Sequence, residues 1–145
     1  MSKRETPMTL WYWQQTGGTL IEEFLVVSRS PTNGPRLLDG LIILGEETVR
    51  LPIGSKPSLQ GKDVVIVQAK NSRLGMYLMG QTLFSLELVK RHSPRSILSV
   101  ALCAKDDALL RPLLESHQGC KVVVCPEDVA QLTFNLDLTQ PQSDL

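Results

Sequence analysis

An α/β domain is what the sequence predicts, and three observations predict it. Aliphatic runs of single-strand length recur along the chain, the clearest being Val64-Val65-Ile66-Val67. Four consecutive β-branched residues lose rotamer freedom in a helix but pack well on a pleated surface. Between such runs, residues 73–90 place Leu74, Leu78, Gln81, Ser85 and Leu88 at i, i+4, i+7, i+11 and i+14, the spacing of one helix face. The 145 residues are 42% hydrophobic, which suits one domain with a real core and no second domain.

The elements follow in order. Residues 8–16, with Leu10, Trp11, Tyr12 and Trp13, form a short helix that Gly17-Gly18 ends. Residues 19–28 read as a strand. Its adjacent carboxylates, Glu22 and Glu23, must face opposite sides of the sheet, so at most one looks into a shared site. Pro31-Thr32-Asn33-Gly34-Pro35 is a turn into a second strand, 36–45. Asp39 interrupts this apolar strand, and an ionised carboxylate there must be solvated, paired or metal-bound. Turn amides or Arg36 are the ordinary way to satisfy it.

Residues 46–62 are a long connection with a minor strand inside 49–53. The core strand 63–70 follows, with Ile66, Gln68 and Lys70 on one face and Val65, Val67 and Ala69 on the other. An amide and an ammonium thus emerge side by side at its end. Asn71 or Ser72 caps the helix over 73–90, and His92-Ser93-Pro94-Arg95-Ser96 breaks it. A fourth strand spans 97–104. Asp106 or Asp107 caps a helix reaching about residue 117, kinked at Pro112 and stopped by Gly119, before a fifth strand over 121–126. The end, 137–145, reads as loosely held.

Composition narrows the function classes. Net charge is zero, which argues against coating nucleic acid by bulk charge. Its distribution is uneven: residues 56–95 hold seven Lys/Arg against two Asp/Glu, whereas 96–145 hold three against seven. A basic stretch that includes Gln68 and Lys70 suits a phosphate-bearing ligand, though ordinary solvated lysines and arginines give the same count. Cys103, Cys120 and Cys125 form no CxxC pair, so buried reduced thiols are expected rather than zinc. No apolar run approaches the roughly 20 residues of a membrane helix and no signal-peptide core follows Met1, so a cytoplasmic protein with no membrane partner is expected. No glycine-rich phosphate loop or GxSxG elbow is present.

The succession of helix, strand, strand with Asp39, strand ending in Gln68-Ala69-Lys70, helix and strand resembles the PD-(D/E)XK, or restriction-endonuclease-like, nuclease superfamily. The resemblance covers roughly residues 8–104, leaving 105–136 as a C-terminal αβ extension. It implies an αβββαβ core with a mixed central sheet flanked by helices. It also implies a magnesium site, with manganese able to substitute. There Asp39 is the central ligand, the Ala69 backbone carbonyl a second, and Glu23 or Glu22 a third, direct or through water. Lys70 would orient the attacking water or stabilise charge in the transition state. Gln68 stands where most of the superfamily has an acid; it keeps a ligating oxygen but removes a negative charge, which weakens metal affinity. Arg36, Lys62, Arg73 and Gln81 are candidate nucleic-acid contacts. The implied function is metal-dependent hydrolysis of phosphodiester bonds, DNA ahead of RNA, by a homodimer or with a partner protein. The alternative is a silent relative that serves as a nucleic-acid-binding or assembly subunit.

Overall fold

The β-branched run becomes the centre of β4 (Asp63–Arg73), where every residue from Val64 to Ala69 is buried. The computed structural model describes residues 5–131. Around β4 the chain builds α1 (Thr6–Thr16), β1 (Thr19–Val27), β2 (Arg36–Ile43), β3 (Val49–Arg50), α2 (Met76–Lys90), β5 (Ser96–Lys105), α3 (Leu110–Glu115), β6 (Cys120–Val124) and α4 (Glu127–Ala130). These strands form one six-stranded sheet in the order β3-β1-β2-β4-β5-β6. β2 runs antiparallel to β1 and β4, while β4, β5 and β6 are parallel to one another. Parallel neighbours need a crossover, which α2 and α3 supply. The result is an α/β domain with a mixed sheet between helices.

The pleat of β4 sorts the core into layers. Val65, Val67 and Ala69 pack with Met8, Leu10, Tyr12 and Trp13 of α1. Val64 and Ile66 pack with Val89 of α2, and Leu78, Leu86 and Leu114 extend that second layer under α2 and α3. Cys103, Cys120 and Cys125 are free and buried, as expected. Burial pushes the thiols of Cys103 and Cys125 up to about 11 and about 12, so neither is a ready nucleophile. Among the described residues no helix is long and apolar enough to cross a membrane.

Several local expectations are corrected. β4 continues to Arg73, so Asn71 and Ser72 are strand residues and α2 starts behind Gly75 with no side-chain cap. The buried face of α2 is Leu78, Thr82, Ser85, Leu86 and Val89, and Gln81 is exposed. Apolar residues lie nearly all round this helix, so periodicity alone singles out no one stripe. α3 is shorter than expected. Asp107 still caps its approach, its Oδ1 accepting from the Leu109 and Leu110 amides at 3.0 and 2.9 Å. Pro112 falls in the first turn, where a missing N–H leaves no gap, so it makes no kink. The expected loose end at 137–145 lies outside the described residues.

The joint between α1 and β1 depends on Gly18. Its φ is +85° and a Cβ there would stand 2.5 Å from the Ile43 carbonyl oxygen. The same residue's carbonyl accepts from Trp13 Nε1 at 2.8 Å, which ties the helix end to the strand start. Gly18→Ala should therefore destabilise the fold by at least about 1 kcal/mol in urea denaturation, since both the conformation and the space oppose a side chain. An unchanged midpoint would show that the joint yields.

A candidate active site where two strands part

The ladder between β2 and β4 ends at the pair Gly40 and Val67. Beyond it the backbones diverge, and side chains satisfy the amides that the ladder would have paired. The Ala69 N–H donates to Asp39 Oδ2 at 2.8 Å, and the Asp39 N–H donates to Gln68 Oε1 at 3.3 Å. Two residues further along β4, the Asn71 N–H donates to Glu5 Oε2 at 3.1 Å. Alternate residues of a strand present their backbone groups to the same edge. Two carboxylates thus sit on successive amides of one open edge, about 7 Å apart along the strand. The Ala69 carbonyl belongs to that edge too.

Glu5 was not among the residues singled out from sequence. It occupies the N-cap position of α1, with Pro7 in the first turn, and is only 8% exposed. An acid just ahead of a proline-started helix was the available signal. Gly40 lets the helix come close, because a Cβ there would lie 3.1 Å from Thr9 Cγ2. The packing of α1 on β2 is what carries Glu5 to the fork.

Of the two adjacent acids on β1, the structure turns one toward Asp39. Glu22 pairs with Gly40 and Phe24 with Leu38, so Glu23 stands between them opposite Asp39. Glu23 has φ +51°, a left-handed conformation costly for a residue with a Cβ and characteristic of functional sites. Glu22 is buried and bound to Arg50 Nε at 2.6 Å, away from the fork. Burial raises the Asp39 carboxyl above its ordinary range, and the charges of Glu5 and Glu23 add to the rise against the pull of the Ala69 amide.

Gln68 does not emerge beside Lys70 as the pleat alone suggested. It is 4% exposed, and both ends of its amide are engaged: Oε1 with Asp39, and Nε2 donating to Ser85 Oγ at 2.7 Å. Lys70, two residues on, is exposed. Among the described residues, no three His, Cys, Asp or Glu side chains converge to enclose a metal ion. Magnesium needs no such cage; it takes one or two carboxylates and keeps several waters. Asp39, the Ala69 carbonyl and Glu5 are hard oxygen donors along one edge, which fits that pattern.

The expected nucleic-acid contacts fall in different places. Arg36 and Gln81 line one cleft beside Gln68. Arg73 stands at the far end of β4, where its Nη1 donates to the Asp106 carbonyl at 2.7 Å. Lys62 precedes β4 and binds Glu46 at 2.9 Å. Eight strand residues, roughly 26 Å, separate it from Lys70, so it does not share the surface at the fork. Asp63, at the start of β4, is likewise remote. Hydrogen bonds from Arg95 and Ser96 hold its carboxyl down at about 2.

No protein-family model, curated protein or solved structure matches the chain. The functional reading therefore rests on the fork itself.

Two outcomes check the geometry. Because the folded protein holds the Asp39 proton more tightly than the unfolded chain, ionising that carboxyl costs stability: the contribution is full below the ordinary carboxylate pKa and is lost as pH rises through the raised one. Asp39→Asn, which keeps an acceptor for the Ala69 amide, should stabilise the metal-free protein by about 1 kcal/mol near neutral pH. Thermal melts should show the gain shrinking as pH falls through the raised value toward about 4 and changing no further below it, and a pH-independent difference would contradict it. Ser85→Ala strands the buried Gln68 Nε2 without its partner and should cost about 1–3 kcal/mol in denaturant.

Proposed function

We propose that the chain is a PD-(D/E)XK-like, magnesium-dependent nuclease that hydrolyses phosphodiester bonds, DNA ahead of RNA. The observation that carries the proposal is the Asp39 carboxylate fixed on the Ala69 amide, with Glu5 on the next outward amide; Lys70 follows Ala69 on the strand and is exposed. The order α1, β1, β2, β4, α2, β5, with only the two-residue β3 interposed, supports the same reading.

Asp39 and Glu5 supply negative charge and hard oxygens, with the Ala69 carbonyl between them on the strand edge. Asp39, Glu5 and the Ala69 carbonyl would hold magnesium, which would supply Lewis-acid chemistry toward phosphoryl oxygens and a water of lowered pKa. Raising the charge density at Asp39, as Glu5 and Glu23 do, favours a cation and resists an empty ionised site. Lys70 places an ammonium where the phosphate accumulates charge. Gln68 acts as a clip rather than a ligand: Ser85 fixes its amide so that its carbonyl meets the Asp39 N–H. The acid usual at that strand position is replaced in charge by Glu5, from the helix.

One observation favours a second reading. With Gln68 tied at both ends and no three-ligand cluster among the described residues, the fork also suits a subunit that binds nucleic acid or a partner protein without cutting. Purified protein incubated with plasmid and single-stranded DNA decides between them. The nuclease reading expects cleavage with magnesium or manganese, abolished by EDTA and reduced at least about a hundredfold by Asp39→Asn, Glu5→Gln or Lys70→Ala. Metal-independent absence of cleavage, together with no magnesium heat in calorimetry, selects the silent subunit. Cleavage that persists in all three variants points to a contaminant.

A further inference from the structure

Along the outer side of α2, two clefts follow one another. The first, about 200 Å³, lies between Arg36 and Leu37 on β2 and Gln81 and Phe84 on α2, with Gln68 and Ser85 in its lining. The second, about 430 Å³, lies between Val27 and Arg29 at the end of β1 and Arg91 and His92 just past α2. Val27 of the second cleft pairs with Arg36 of the first across the hairpin, so the two clefts are neighbours, and together they are called the trench. Among the described residues lining it are Arg29, Arg36 and Arg91 and no carboxylate. The Arg36 guanidinium is steadied by the Gly34 and Pro35 carbonyls, which hold it without cancelling its charge.

Gln81 and Phe84 line the first cleft, and the face of α2 that continues from them past the cleft is unusual. Tyr77 and Phe84 are 79% and 68% exposed, and Gly80 and Gln81 lie between them on the same stripe. Nothing stands within 4 Å of where a Gly80 Cβ would be, so no neighbour requires a glycine there. A glycine inside a helix costs about 1 kcal/mol against alanine. Here it leaves a flat notch between two exposed rings.

We infer that this trench binds single-stranded nucleic acid, with phosphates on Arg36, Arg29 and Arg91 and bases against Phe84 and Tyr77. A carboxylate-free run of arginines is complementary to a polyanion. Exposed rings add sequence-tolerant stacking, which unpaired bases accept and a closed duplex, whose bases already stack on one another, does not. Gln68 lines the trench and also holds Asp39, so a strand lying in it leads to the fork. The inference rests on the nuclease reading for the strand's fate there, but not for binding.

Fluorescence anisotropy in EDTA, with labelled oligothymidylate and a duplex of equal length, tests it on the full chain. The single strand should bind at least about tenfold tighter. Phe84→Ser should lose at least about fivefold, with Phe84→Tyr retaining binding. Arg36→Ala should reduce the salt slope by about 0.7, the value for one phosphate contact on a single strand. Circular dichroism confirms that these exposed substitutions leave the fold intact. Equal or tighter duplex binding, no binding of either form, or binding indifferent to Phe84 and Arg36 overturns the inference, as does concentration-dependent self-association lost in Phe84→Ser. The two proposals fail separately. Wild-type protein that binds the strand without cutting it retains the trench and loses the nuclease; protein that cuts plasmid while Phe84→Ser binds normally does the reverse.

Discussion

An amide buried without a partner is among the more expensive features a fold can contain. The departure of β2 from β4 after Gly40 and Val67 creates several of them in the middle of a sheet. Everything at the fork answers that constraint. Asp39 takes one amide, Glu5 the next, and Gln68 takes the amide of Asp39 itself. The groups most suited to hold a cation are therefore already required by the backbone, and their positions are set by hydrogen bonds rather than by loops.

The strand periodicity was legible because its period is two and β4 is buried on both faces. The run at Val64 to Val67 could hardly have been anything else, and its division into two faces agrees with the packing against α1 and α2. Asp39 was legible as an anomaly, a charge in an apolar strand. Glu5 was not, because nothing local distinguishes it; its role comes from α1 crossing Gly40 and reaching residue 71, a contact spanning 66 positions of sequence. Gln81 misled for a related reason. A helix with apolar residues on most sides offers several plausible inward faces, and only tertiary packing selects Leu78, Ser85 and Val89. The basic excess of residues 56–95 was likewise a property of the sequence rather than of one surface, since β4 carries Lys62 and Lys70 to opposite ends of the sheet.

Gln68 changes meaning once its partners are visible. In sequence it is a missing acid. In the structure it is a buried amide whose two ends perform different tasks, donation to Ser85 and acceptance from Asp39, which no carboxylate could perform together unless protonated. The negative charge at the fork comes from Asp39, Glu23 and Glu5, residues of two strands and of the cap that precedes α1. Glu23 is held at positive φ, and the Asp39 carboxyl is raised chiefly by its burial, with the charges of Glu5 and Glu23 adding to the rise.

The parting of β2 and β4 has one more consequence. It leaves, in the interior of a sheet, a row of backbone groups without ladder partners like the one an outermost strand presents, and such rows recruit other strands. A peptide in extended form could complete the ladder at Ala69 and Asn71 as β2 does lower down. Both amides are instead occupied by charged side chains that offer an acceptor but no continuing backbone. The carboxylates close the gap to strands.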